Sequence, residues 1–225
     1  MSCNTALFHA VDGKKYSTAA LLIKHGADVN KESHDGYTPL HCNAMNGDLN
    51  LAKLLLQHGA ELEAKTSSQK ATPLILAAQH GNPYMAEILL KHGADIHSQD
   101  KYGATALLRS AATIKKTDGL RILLDKGADI DHQSNNGHTA LSEAAHEGHK
   151  ANVQLLLKRG AKTDSRNSDG ETAADVARKR GHDDIATLIE DTERTRTITA
   201  FKTAARAGTT KPRRIHRIKP QKNTP

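Results

Sequence analysis

The sequence has no tryptophan, two phenylalanines and four tyrosines among 225 residues. Globular cores usually draw much of their buried area from large rings, so this interior has to come from Leu, Ile, Val and Ala. Cysteine is as scarce. Cys3 and Cys42 are the whole supply, too few for a disulfide framework or a four-thiolate metal site. The longest apolar runs, such as AALLI at 19–23, fall far short of the ~20 residues a membrane-spanning helix needs. The opening MSCNTALFHA lacks the charged and apolar regions of a signal peptide. A reducing, cytoplasmic setting is expected, with the nucleus as a further destination if the basic C-terminus acts as an import signal.

A surplus of acid is also missing: the net charge is +7. Its distribution matters more than its size. Residues 192–225 hold ten Lys/Arg and one acid, Glu193, a net of +9; of the totals of 32 basic and 25 acidic residues this leaves 22 and 24 in residues 1–191, a net of −2. The body is nearly neutral, so the basic balance says nothing about what the body binds.

What is present is repetition. KHGADVN at 24–30 returns as QHGAELE, KHGADIH, DKGADID and KRGAKTD, with glycines at 26, 59, 93, 127 and 160, spaced 33, 34, 34 and 33. A second motif keeps step: NTALFHA, YTPLHCNA, ATPLILAA, ATALLRSAA, HTALSEAA and ETAADVA begin at 4, 37, 71, 104, 138 and 171. A period of this length means a stack of supersecondary units. Thr38-Pro39 reads as an N-cap hydroxyl followed by proline at the first helical position. A short helix then runs to about Asn46 and Gly47 ends it in the left-handed conformation. DLNLAKLLLQH supplies a second helix, closed by Gly59. Asp35-Gly36, Asn136-Gly137 and Asp169-Gly170 favour tight turns between units. Helices this short are marginal alone in water, so each unit buries its apolar face on its neighbours.

The pattern DGYTPLHCNAMNGDLNLAKLLLQHGAELE resembles the ankyrin repeat, and the resemblance covers about residues 1–191. It implies an all-α solenoid of stacked helix–turn–helix units with short β-hairpin-like turns. Six repeats are expected, at about 1–33, 34–67, 68–100, 101–134, 135–167 and 168–191, the first degenerate and the last a polar cap. Repeat four has 22 residues from Thr105 to Gly127 against 21 elsewhere, and TIKKTDG (113–119) lacks the usual turn, so its inter-helix loop should be altered.

Two features invite chemistry. His41 and Cys42 are adjacent, as in a thiolate–base pair, but aligned repeats place Phe8, Ile75, Leu108, Ser142 and Asp175 at the first position. His9, Leu76, Arg109, Glu143 and Val176 occupy the second. The resemblance implies that His41 hydrogen-bonds to Thr38 and nearby backbone; Cys42 then fills space. His25, His58 and His92 share a place that Lys126 and Arg159 take over. A site that accepts all three residue types wants a donor near a helix C-terminus, and stacked repeats stand too far apart for one metal ion. No metal site, cofactor or catalytic residue is expected, and no phosphate loop or hydrolase motif occurs.

The resemblance places a protein partner on the concave surface of turn tips and first helices. That selects Tyr37, Met45, Asn46, His34 and Asp35 in repeat two, with Gln79, His80 and Gln69 in repeat three. Repeat four offers Tyr102, Lys101 and Thr113, and repeat five Asn136, His138, His146 and Glu147. Asp169, Glu171, Lys179 and Arg180 follow in repeat six. Tyr37 and Tyr102 are the expected anchors, since aromatic residues tend to dominate binding energy. The function implied is a non-catalytic interaction scaffold, expected to be a monomer. Asn30 also ends a Leu-x5-Asp-Val-Asn pattern that looks like the asparagine hydroxylated in many animal ankyrin proteins, and His97 matches its spacing.

The C-terminus departs from the repeats. In residues 192–208 Ile198, Phe201 and Ala205 fall at helical spacing and are expected to pack on repeat six. Residues 209–225 have three prolines, many Lys and Arg and no acid, a composition of disorder. An import signal, contacts to nucleic acid or anionic membrane, and a solubilising tail all stay open there. Tail-mediated recruitment is the alternative to the scaffold reading.

Overall fold

A computed structural model of the chain describes residues 5–113 and 117–206. Among the described residues there are twelve helices and no strand. In order they are α1 (Ala6–Asp12), α2 (Tyr16–Lys24), α3 (Pro39–Asn46), α4 (Leu49–Gln57), α5 (Pro73–Gln79), α6 (Pro83–Lys91), α7 (Ala106–Ala111), α8 (Asp118–Asp125), α9 (Ala140–His146), α10 (Lys150–Lys158), α11 (Ala173–Lys179) and α12 (Asp183–Arg206). They pair into six units, as the repeat period implies.

Every first helix but that of repeat four starts where its threonine caps it. Thr38 accepts from the N–H of His41, Thr72 from that of Ile75, Thr139 from that of Ser142 and Thr172 from that of Asp175. These hydroxyls satisfy N–H groups that have no partner inside the helix. Gly47 ends α3 at φ +72, and its N–H reaches the Asn43 carbonyl at 2.8 Å.

First helices pack on first helices: α3 on α5, α5 on α7, α7 on α9, and α9 on α11. Alanine allows the close approach, with Ala44, Ala77, Ala111, Ala144 and Ala177 all fully buried. Second helices supply the larger side chains at a spacing of three or four. Leu51 and Leu55, Met85 and Leu89, and Leu120 and Leu123 are buried pairs of this kind. Each such side chain contributes about 1.5–3 kcal/mol when removed from water, which short isolated helices lack.

Hydrogen bonds tie the units at both edges. At the turn tips Ser67 donates to the Asp35 carbonyl (3.0 Å), Lys101 to Gln69 (2.8 Å), Asn135 to Tyr102 (2.9 Å) and Ser168 to Asn136 (2.9 Å). Each junction from repeat two to repeat six therefore has one backbone bond. The expected hairpin-like turns are present as turns rather than strands. On the inner side the Asn82 amide donates to the carbonyls of Ala44 and Met45, and the Asn152 amide to that of Ala111. Both satisfy last-turn carbonyls of the neighbouring first helix.

Repeat four is the irregular one. α7 has six residues, and Thr105 makes no side-chain cap bond; residues 114–116 of its expected altered loop lie outside the described set. The chain divides into two compact units, 1–190 and 191–225. In the second unit, Thr195, Thr199 and Thr203 turn their hydroxyls to carbonyls four residues back. Ile198 and Phe201 are 48 % and 67 % exposed, so the burial expected for them is not found. Arg194, Arg196 and Lys202 flank them on the same helix and leave too little continuous apolar surface to bury. The side chain of Ala205 and the tail 209–225 lie outside the described residues. Among the described residues no helix is long and apolar enough to cross a membrane.

Candidate protein-binding surface

What each atom touches resolves the adjacent His41 and Cys42. His41 is fully buried. Its Nε2 lies 2.9 Å from the Ala64 carbonyl and 3.1 Å from that of Ala71. Two acceptors on that side place the ring proton on Nε2. Nδ1 is then the acceptor, for the Thr38 N–H at 3.1 Å and the Thr38 hydroxyl at 2.9 Å. Burial holds the imidazole pKa below its usual value, with the two carbonyls opposing this in part. The bond to Thr38 was expected; the reach into the turn of the next repeat was not. Cys42 is 1 % exposed and donates to Asp12 Oδ1 at 3.4 Å. Burial, reinforced by the Asp12 carboxylate, pushes its thiol up to about 12, so it is no nucleophile at neutral pH.

The histidine column serves the helix ends. His25, His58 and His92 each donate from Nδ1 to the carbonyl four residues earlier, at 2.9 Å. Arg159, in the same column, reaches back a repeat to Asp125 at 2.7 Å. Asn30 is occupied too: its amide donates to the Gly59 carbonyl and its oxygen accepts the N–H of Glu61. The His97 N–H goes to Asp95 Oδ1.

The selected surface residues of repeats two and three are not gathered into one cavity, whereas several of those in repeats four to six are. Tyr37 is half-buried, edge-on to His41 at 5.9 Å between centroids. Met45 is partly buried against the core, and the Asn46 amide reaches the Asp12 carbonyl at 3.3 Å. Gln79 is exposed, and His80 donates to the Leu76 carbonyl at 2.9 Å. Tyr102, Asn136, His138 and His146, from repeats four and five, are brought together around one open cavity of about 330 Å³. A second, of about 460 Å³, lies against repeat six and shares His138 and His146 with the first.

Charge in this groove is arranged in pairs. Tyr102 is 51 % exposed, with Lys101 Nζ 5.0 Å and Arg109 Cζ 5.6 Å from its ring centre. Arg109 Nε donates to Asp100 Oδ2 at 2.9 Å, and Asp100 Oδ1 accepts the N–H groups of Tyr102 and Ala104. His146 donates from Nδ1 to Glu147 at 2.8 Å and accepts from Arg180 at Nε2. Lys179 pairs with Glu171 at 2.8 Å, and that bond, with one from Asn167, holds the Glu171 carboxyl below its usual value. His138 Nδ1 is buried without a partner among the described residues. Arg109 and Glu143, both lining the first cavity, were not among the selected residues. Their signal in the sequence is charge in a column that is apolar at Leu76 and Val176.

Comparisons agree with this architecture. The family model for ankyrin repeats in three copies matches residues 2–66, 63–134 and 107–200. The RelA-associated inhibitor of Mus musculus is 43 % identical over 67 residues, 30 % of this chain and 8 % of that protein. Protein phosphatase 1 regulatory subunit 27 of Mus musculus is 36 % identical over 59 residues, 26 % of this chain and 38 % of that protein. The matched segments thus span well under half of these relatives. One chain in the solved structure of a predatory endopeptidase from Bdellovibrio bacteriovorus in complex with an immunity protein superposes with a TM-score of 0.74. It is 30 % identical, and the match covers 84 % of this chain and 98 % of that one. Ankyrin repeats generally mediate protein–protein interaction and are typically non-catalytic. With the family model spanning nearly all of residues 2–200, the chain belongs to the ankyrin-repeat family.

Proposed function

We propose that the chain is a scaffold that holds a protein partner in the concave groove of repeats four to six, with Tyr102 as its anchor. The observation that carries this is the pair of adjoining cavities sharing His138 and His146, the first of them lined by a half-exposed tyrosine. An aromatic ring beside a partly desolvated polar pocket is the arrangement that concentrates binding energy. The chain works in the cytoplasm on this reading, as a monomer. A photo-crosslinking residue at Asn136 tests the groove, with one at Tyr84 as the control. Tyr84 is 63 % exposed on the second helix of repeat three, outside the groove. The reading expects a discrete protein adduct from position 136 and none from position 84. The opposite pattern would overturn it.

The comparisons favour a second, narrower reading, in which the partner is an enzyme that binding restrains. Support comes from relatives named as an inhibitor and a phosphatase regulatory subunit, and from the endopeptidase–immunity protein complex. Adding the purified chain to the captured partner should then lower a measurable activity in proportion to occupancy. Full activity at saturation contradicts this reading.

A further inference from the structure

We infer that the cavity between repeats four and five receives a lysine or arginine side chain from the protein partner, with the Glu143 carboxylate as its counter-charge. This rests on the concave-groove reading and specifies what the partner presents there.

The starting observation is a break in the repeat. The first-helix column is polar and exposed at His9 in the first, degenerate repeat, but apolar at Cys42, Leu76 and Val176, which are 1 %, 2 % and 4 % exposed. At repeats four and five the same column holds Arg109 and Glu143, and this is where the groove opens into a cavity of about 330 Å³. Charge is seldom left half-buried in a packed stack without a partner. Arg109 and Glu143 would answer this if they paired with each other, but they do not. Arg109 is committed to Asp100 through Nε and Nη2, and Asp100 is held in turn by two backbone N–H groups.

Glu143 is thereby left alone. Among the described residues its half-buried carboxylate has no hydrogen bond and no ion pair; of the other acids along the groove, Asp169 is likewise unpaired but exposed and lines only the second cavity, and the rest are engaged. Asp100 has Arg109, Glu147 has His146, and Glu171 has Lys179. The nearby cations are committed elsewhere, Arg180 to His146 and Lys101 to the face of Tyr102. The orphan Nδ1 of His138 lies in the same wall. The cavity has room for one long side chain, an unneutralised carboxylate, and an aromatic rim along which a basic side chain's methylenes can lie. An acidic segment, or a nucleic-acid phosphate, would instead add negative charge beside Glu143.

The test selects random linear peptides displayed on phage against the intact chain, then measures the selected peptides by titration against wild type, Glu143→Gln, Glu143→Lys and Tyr102→Ala. Far-UV circular dichroism checks that each variant is folded. The inference expects groove binders, recognised by their loss on Tyr102→Ala, to carry a common Lys or Arg. They should weaken by about tenfold or more on Glu143→Gln, the size of one lost charge-assisted contact. Selection on Glu143→Lys should turn the preference to acidic residues. Groove binders without a basic residue, or with unchanged affinity for Glu143→Gln, overturn this inference and leave the groove reading standing. If no selected peptide is sensitive to Tyr102→Ala, the groove reading falls and takes the inference with it.

Discussion

The buried Asp100 and the partly buried Arg109 form an ion pair that shapes the groove before any partner arrives. One carboxylate oxygen takes the guanidinium at 2.9 Å from Nε, and the other takes the N–H groups of Tyr102 and Ala104 at 2.8 and 3.0 Å. The same aspartate thus fixes the turn that presents Tyr102 and removes Arg109 as a free cation.

Breaking that pair from the acidic side is therefore expected to cost more than breaking it from the basic side. Asp100→Ala strands a partly buried guanidinium and two backbone donors, a loss of about 3 kcal/mol. Arg109→Leu restores the apolar residue found at Leu76 and leaves Asp100 with its two backbone bonds. Urea unfolding should rank Asp100→Ala clearly below Arg109→Leu, and the reverse order contradicts this account of the turn.

A pH dependence follows from His41. Its pKa in the folded chain lies below the unfolded value of about 6.5, so the unfolded chain binds more protons in the interval between the two. Stability therefore rises with pH across that interval. The contribution is fully present above about 6.5 and is lost as pH falls toward the lowered value. Denaturant midpoints at pH 7.5, 6.5 and 5.5 should fall in that order, and His41→Asn should show a shallower decline as well as a lower midpoint. A variant with an undiminished slope would place the effect on other histidines.

Glycines with the same backbone hand are expected to differ in tolerance. Gly93 has φ +98 and nothing within 4 Å of where a Cβ would sit, while at Gly103, φ +71, a Cβ would stand 2.8 Å from the Asn135 backbone nitrogen. Gly93→Ala should cost only the left-handed penalty, about 1–2 kcal/mol. Gly103→Ala adds a clash at the junction whose Asn135–Tyr102 bond joins repeats four and five. Hydrogen exchange should show faster opening at Asn135 in Gly103→Ala alone.

Cys42 should be silent toward electrophiles. With its thiol pushed up to about 12 and 1 % exposed, it is expected to resist iodoacetamide in the folded Cys3→Ser variant at pH 8 and to alkylate once urea unfolds the chain. Rapid native labelling would reverse the reading of Cys42 as a packing residue.

These residues also mark how far the sequence carries. The period, the threonine caps and the glycine stops were legible because each follows from a local requirement of backbone geometry. The bond between Thr38 and His41 came with the family pattern. The reach of His41 to Ala64 and Ala71 was not legible, because it depends on where the next turn lies in space. The same holds for the groove. Tyr102, Asn136, His138 and His146 were chosen repeat by repeat, and only the stacking of α7 on α9 brings them around one cavity. Arg109 and Glu143 went unselected because a column position reads as core until its neighbours show the pairing. Ile198 and Phe201 had helical spacing without enough apolar surface around them, and they are exposed.

The most direct test of the account measures the affinity of the captured protein partner by isothermal titration against wild type, Tyr102→Ala, Tyr102→Ala/His146→Ala and Tyr84→Ala. The groove account predicts a loss of about 2 kcal/mol or more for Tyr102→Ala, the cost of truncating a binding anchor. The double variant should lose more, and Tyr84→Ala should stay at wild-type affinity. Wild-type affinity in both groove variants, with binding lost in Tyr84→Ala, would contradict it.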